Sequence, residues 1–269
     1  MLNYRYVFVV LVYRNTDVLK GFFESVRQKV SDYKVILVNS FYDEQSLDEC
    51  RQYAETYHAD LIPIENRGYG YGNNVGIEYV LGNYHFDYLI ISNSDIILEN
   101  IDNLPDSKDA LIIAPDTTLL NGKKQNPNIV CRSKSFLTLL KLAYRKNNML
   151  FWDGAHVISR LTRELFRIYK MFVIKKQYRI FCCHGSFFIV TYKASKLLHP
   201  LFNDRMFLYN EELYLAFNAE SKNIPIYYIP SVKVTHLEGA STDAGVTDKA
   251  KCFERNKHSF EELCKVYKF

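Results

Sequence analysis

Short apolar, β-branched runs recur at residues 6–13, 35–38, 61–64, 88–91 and 111–114, and helix-compatible stretches lie at 17–30, 46–58 and 74–81. Apolar runs of about four to eight residues bounded by turn signals mark strands buried on both faces, and their alternation with helices marks a parallel sheet. The first half of the chain is therefore expected to be βαβ-built. After Pro115 the sequence turns to Asn121-Gly122 and Asn126-Pro127-Asn128, then to a basic segment. The pattern next predicts a strand at 187–192, a helix at 211–221, a strand at 225–229, a polar loop holding His236, and an amphipathic helix over 247–269. The expected organisation is one α/β domain over 1–246, divided into a first half (1–100) and a second half (101–246) that contains the basic helical segment 132–180. Residues 247–269 form a C-terminal helical tail.

Ligands of open α/β sheets sit beyond the carboxyl ends of the strands, which directs attention to the residues after each run. Strand 88–91 ends in Ser92-Asn93-Ser94-Asp95, a carboxylate beside a small residue and an amide. A hard divalent cation bridging two phosphates needs few protein ligands, so one such Asp suffices for chemistry, although the tripeptide alone also describes an ordinary turn. Glu65-Asn66-Arg67-Gly68-Tyr69-Gly70-Tyr71-Gly72-Asn73-Asn74-Val75-Gly76 reads as a glycine-rich loop after a strand, with Asn73 or Asn74 capping the helix that follows. Its spacing is neither a dinucleotide fingerprint nor a P-loop. Glu211 and Glu212 open a helix, where the dipole favours their ionised form, and His236 follows an apolar strand.

Charge changes the picture only when divided along the chain. The net charge of +4 hides a segment from Arg132 to Arg179 with twelve Lys/Arg against Asp153 and Glu164, which carries +10 and leaves the rest at −6. Such asymmetry points to an anionic partner for one segment. Within it Ile158, Leu161, Leu165, Ile168 and Phe172 recur at helical spacing, and Arg160, Arg163, Arg167 and Lys170 fall on nearly the opposite side. Such a helix either packs its apolar side on the sheet with its charges in water, or lies on anionic lipid. Six cysteines without CxxC pairs or zinc spacing fit a reducing compartment. The run at 6–13 is short for a signal segment, and the expected location is cytoplasmic, peripheral at the inner face of a membrane.

In their order along the chain these elements resemble the GT-A-fold family 2 glycosyltransferases, particularly rhamnosyltransferase-like members of bacterial surface-polysaccharide pathways. The resemblance rests on Val12-Tyr13-Arg14-Asn15, the 65–76 loop, Asn93-Ser94-Asp95, Gly185-Ser186, Leu208-Tyr209-Asn210-Glu211-Glu212 and His236-Leu237-Glu238-Gly239. It implies a Rossmann-like, mostly parallel sheet flanked by helices, and an inverting transfer from a UDP- or dTDP-sugar to a glycan or lipid-linked sugar. By resemblance, Asp95 and His236 hold Mg²⁺ or Mn²⁺ on the diphosphate, and Glu212, or Glu211 sharing the role, is the general base. Tyr13, Asn15 and Asn39 line the nucleoside pocket, Asn66, Gly70 and Asn73 lie beside base and ribose, and Asn93 and Gly185 complete the donor site. Asn39, Ser94, Glu212 and Tyr214 depart from the family's usual residues, which keeps a non-catalytic sugar-nucleotide or glycan-binding homologue in view. A nucleotidyltransferase is disfavoured because no glycine follows the first strand. The expected partners are donor, acceptor and an anionic membrane surface over 132–180, and not nucleic acid.

Overall fold

The computed structural model describes residues 2–173, 177–237 and 249–268. Lys175, Lys176, Glu238, Gly239 and the first residues of the expected tail lie outside the described residues, as do the side chains of Lys170 and Phe172. The first apolar run becomes β1 (Leu2–Val12). Strand alternation sends Val7 and Val9 into one apolar layer and Phe8 and Val10 into the other, so both faces of β1 are covered. The chain continues through α1 (Leu19–Lys29), β2 (Tyr33–Ser40), α2 (Glu44–Thr56), β3 (Asp60–Ile64), α3 (Tyr69–Asn83) and β4 (Tyr84–Asn93). All pairings among these strands are parallel, in the order β3-β2-β1-β4.

The second half runs β5 (Ile96–Asn100), β6 (Ile112–Leu119), α4 (Lys134–Arg145), α5 (Met149–Val173), β7 (Tyr178–Ile180), β8 (Phe187–Thr191), α6 (Tyr192–Leu198), α7 (Glu211–Ser221), β9 (Ile226–His236) and α8 (Lys249–Val266). Strand β8 enters antiparallel between β4 and β6, β9 lies parallel to β6, and β5 and β7 pair antiparallel with β9. The sheet is therefore parallel from β3 to β4 and mixed beyond β4. Among the described residues no helix is long and apolar enough to cross a membrane.

Three helices depart from the sequence expectation, and the polar loop expected around His236 is instead the end of β9, which pairs with β5 and β6 up to His236. The glycine-rich stretch is not a loop: α3 begins at Tyr69, so Asn73 and Asn74 lie inside the helix rather than capping it. Glycine's low helix propensity is overridden by packing. A Cβ on Gly72 would stand 2.5 Å from Leu11 Cδ1, and one on Gly76 would stand 2.5 Å from Val9 Cγ1 and 2.8 Å from Val38 Cγ2, so the glycines let the helix press onto β1 and β2. Gly76→Ala is expected to lower the unfolding free energy in urea by about 1–3 kcal/mol through overpacking. Gly82→Ala in the same helix, where among the described residues nothing lies within 4 Å of the added carbon, should instead be neutral or stabilising by up to about 1 kcal/mol. Equal losses at both positions would refute the packing account.

Helix α5 departs from the first of its two expected arrangements, because its leucines do not pack on the sheet. Leu161 and Leu165 are 57% and 67% exposed, with Leu150, Val157 and Ile168 on the same side. Arg163 and Arg167 point inward instead, and Arg167 Nη2 donates to the carbonyls of Lys124 (3.2 Å) and Asn126 (3.3 Å). Arg167 thus ties α5 to the Lys124–Asn126 turn, while Glu164 of the same helix pairs with both arginines, and the leucines stay outside. The third departure is α8. Its Phe253, Phe260 and Leu263 join Phe136, Tyr144, Leu213 and Phe217 of α4 and α7 in one apolar cluster, which makes it part of the core rather than an appended tail.

Candidate active site

The ends of β1 and β2 and the start of α3 open onto a cleft of about 240 Å³ lined by Leu11, Tyr13, Ser40, Asn66, Tyr69 and Arg255, among others. Tyr13 and Asn66 stand where the sequence places them. Asn66 Oδ1 accepts from Gly68 N (3.2 Å), which shapes the turn into α3, and Gly68 itself is required at φ 104° because a Cβ would sit 2.3 Å from Phe207 O. Ser40 lines the cleft, whereas Asn39, one residue earlier on β2, is buried, with Nδ2 3.4 Å from Cys50 Sγ. Among the described residues no donor reaches Asn39 Oδ1. Asn15 spends its side chain on the start of α1, accepting from Asp17 N at 3.0 Å. Gly70 packs against Phe202 and Asn73 bonds Tyr69 O inside α3, so neither borders the cleft.

A second group surrounds Asp95. The β5–β9 register sets Ile96 opposite His236, which brings two sequence-distant residues together. His236 Nε2 lies 3.2 Å from Asp95 Oδ1, and its Nδ1 is 2.7 Å from Gln125 Oε1. The approach to Asp95 is close but not aligned as a hydrogen bond: among the described residues neither the buried Asp95 Oδ1 nor Ser94 Oγ is hydrogen-bonded. His184 completes the surroundings. Its ring is 6.0 Å from that of His236, its backbone N donates to Asn126 Oδ1 at 2.8 Å, and its Nδ1 lies 2.9 Å from Ser186 Oγ. Burial first, then the charges of His236 and Arg163, push the His184 imidazole down to about 3, so it is neutral. Thus Arg167, the Lys124–Asn126 turn, His184 and His236 form one hydrogen-bonded wall beside Asp95.

The third group is the start of α7. Glu212 Oε1 accepts from Gly185 N at 3.3 Å, and a Cβ on Gly185 would stand 2.9 Å from that oxygen, so only glycine leaves the carboxylate room. Glu211 points into the interior, where burial and then the Glu212 charge hold its carboxyl well above the usual range. Glu212 is raised too, by burial, against the lowering effect of backbone donors. Tyr209 and Asn210 both adopt left-handed backbone (φ 73° and 63°), a conformation that persists only when neighbours enforce it. Helix α8 does so: Asn210 Nδ2 donates to Asn256 O (3.1 Å), and Ser259 Oγ donates to Leu208 O (2.8 Å).

The turn Gly185-Ser186 ties the three groups together. Gly185 O accepts from Tyr69 OH at 2.6 Å, Gly185 N donates to Glu212, and Ser186 O accepts from the backbone N of Asn93 at 2.8 Å. These contacts gather the cleft wall, the carboxylate of α7 and the strand end before Asp95 around one short turn. Sequence reasoning missed Ser40, Gln125, His184 and Arg255. Only His184 carried a local signal, by directly preceding Gly185.

Comparison with known proteins bears on the fold that carries these groups. Residues 7–102, from β1 to just past β5, match the family described as Glycosyl transferase family 2. No curated protein matches the sequence. Among solved structures, GalNAc-T7, solved with UDP, GalNAc and Mn²⁺, aligns over 98% of this chain and 48% of its own at 11% identity and a TM-score of 0.64. Residues 1–349 of TarS from S. aureus align over 98% and 72% at 11% identity and a TM-score of 0.52. The mannosyltransferase PcManGT from Pyrobaculum calidifontis, solved with GDP-Man and Mn²⁺, aligns over 91% and 59% at 14% identity and a TM-score of 0.51. The chain spans about half the length of GalNAc-T7. At these identities the likeness establishes the fold, which is the GT-A architecture expected from the sequence.

Proposed function

We propose that this protein is an inverting glycosyltransferase that moves a sugar from a UDP- or dTDP-sugar onto a glycan acceptor, carried on lipid, in bacterial surface-polysaccharide synthesis. The single observation that carries this reading is the Gly185-Ser186 turn, which joins the cleft, the Asp95 strand end and Glu212. The nucleoside occupies the cleft beside Tyr13 and Asn66. The diphosphate lies toward Asp95, and the acceptor approaches from the Glu212 side. The unit transferred is a hexose or a deoxyhexose.

Asp95 and His236 fit a divalent cation, Mg²⁺ or Mn²⁺, because a buried carboxylate oxygen without a hydrogen bond among the described residues suits a cation. No group of three or more His, Cys, Asp or Glu among the described residues could hold a metal ion alone. Two protein ligands therefore imply that diphosphate oxygens and water complete the coordination. When bound, the cation supplies neutralisation of the charge that develops on the leaving diphosphate. The protein's own groups do the rest. Glu212 takes the proton from the acceptor hydroxyl, Gly185 N orients the carboxylate, and neutral His184 and Gln125 support His236.

Thermal melting against UDP, dTDP and GDP, each with and without Mn²⁺, tests the reading. A nucleotide at about a hundredfold excess over its Kd stabilises the native state by about 2.7 kcal/mol. For a chain of this size that is a rise in Tm of roughly 5–10 °C. The expected result is such a rise with UDP or dTDP in the presence of Mn²⁺, and no shift with any of the three would overturn the donor assignment.

A further inference from the structure

The five apolar residues on the outer side of α5, Leu150, Val157, Leu161, Leu165 and Ile168, recur at intervals of three, four and seven. Helical geometry puts such positions on one stripe, here roughly 27 Å long. The stripe is not a groove that could receive a helix. It is a convex ridge, and Tyr169, 55% exposed, flanks it. Contiguous exposed apolar surface of this kind marks an interaction site.

Charge decides what covers it. Arg160 of α5 is exposed, and at the end of α4 Arg145 and Lys146 are exposed too, Lys146 lying 5.9 Å from the ring of Phe151 in α5. The two acids of the helix are already engaged, Asp153 with Lys249 at 2.7 Å and Glu164 with Arg167 at 2.8 Å. A second copy of this chain laid face to face would bring two strongly basic segments together, which is unfavourable. A lipid surface with anionic headgroups accepts the apolar ridge among its acyl chains and the cations at its headgroups.

We infer that α5 is an in-plane membrane-docking helix that inserts its Leu150–Ile168 stripe into an anionic bilayer. This differs from binding through the arginine face, because Arg163 and Arg167 are turned toward the protein. It does not rest on the assignment of the donor or of the base. It has a geometric consequence for them all the same: the inner side of the docked helix holds the Lys124–Asn126 turn that supports His236, so the site wall and the bilayer share one helix.

Flotation with vesicles of phosphatidylcholine alone, and of phosphatidylcholine mixed with phosphatidylglycerol, tests the inference. Wild type should float with the mixed vesicles. The variant Leu161→Gln/Leu165→Gln should partition at least about tenfold more weakly, since both side chains lose burial in the acyl region. Arg145→Gln/Lys146→Gln/Arg160→Gln should weaken binding to mixed vesicles roughly a hundredfold at low salt and abolish the preference for phosphatidylglycerol. Both variants replace exposed side chains, so their melting temperatures and nucleotide binding in vesicle-free buffer should match wild type. That control separates failure here from failure of the glycosyltransferase reading. Absence of flotation by wild type, equal flotation by the leucine variant, or a wild-type dimer in sedimentation that the leucine variant dissolves would each overturn the inference, the last by giving the stripe to a second copy.

Discussion

Glu212→Gln is expected to lower turnover by about two to four orders of magnitude while leaving donor affinity nearly intact, the usual contribution of a positioned general base. The amide keeps the shape that faces Gly185 but cannot take a proton. Burial raises the Glu212 carboxyl above its ordinary value, and a base works only when ionised. Wild-type turnover should therefore rise with pH through a value above the usual carboxylate range, and the variant's residual rate should lack that limb. Glu211 supplies the contrast. Its carboxyl is held protonated by burial and by Glu212, so Glu211→Gln replaces one neutral group with another and should stay active. The sign for stability follows from the same shift. A carboxyl raised on folding contributes stability that is present at low pH and lost as pH rises through its folded value, so Glu211→Gln should flatten the decline of stability above the ordinary carboxylate range. An inactive Glu211→Gln beside an active Glu212→Gln would reverse the assignment.

Asp95→Ala should remove the Mn²⁺-dependent part of UDP or dTDP binding, weakening affinity by about a hundredfold or more, as expected when a metal ligand rather than a supporting residue is lost. Calorimetry in Mn²⁺ and in chelator makes the measurement, and wild type and variant should agree in chelator. The fold should survive. Asp95 Oδ1 is buried and takes part in no hydrogen bond among the described residues, so its removal breaks none there. Undiminished affinity in Mn²⁺ would remove Asp95 from the cation site.

The parallel strands of the first half were legible because their residues are apolar on both faces, a pattern that needs no tertiary information. The same holds for α7, whose paired glutamates open it as expected. The glycine-rich stretch misled because propensity describes an isolated helix, and the need for glycine at 72 and 76 exists only once Leu11, Val9 and Val38 are in place. Periodicity found the two faces of α5 but not which one faces in. That was decided by carbonyls of the Lys124–Asn126 turn, far from the helix in sequence. Among the candidate residues, Tyr13, Asn66, Asp95 and Glu212 could be singled out because each follows a strand or opens a helix, whereas His236 ends β9. Ser40 and Asn39 differ by one position on a strand end, where alternation alone decides which side chain meets the cleft. Arg255 has no local mark at all.

Helix α8 brings Arg255 to a cleft that Leu11 of the first strand also lines, and its Asn256 and Ser259 hold the left-handed turn before α7. Contacts between residues so far apart in sequence must close a very long loop, and such closures come late in folding because their entropic cost precedes their reward. The parallel sheet can assemble from its neighbouring βαβ units well before that. The cleft is therefore complete only once the most distant segments of the chain have met.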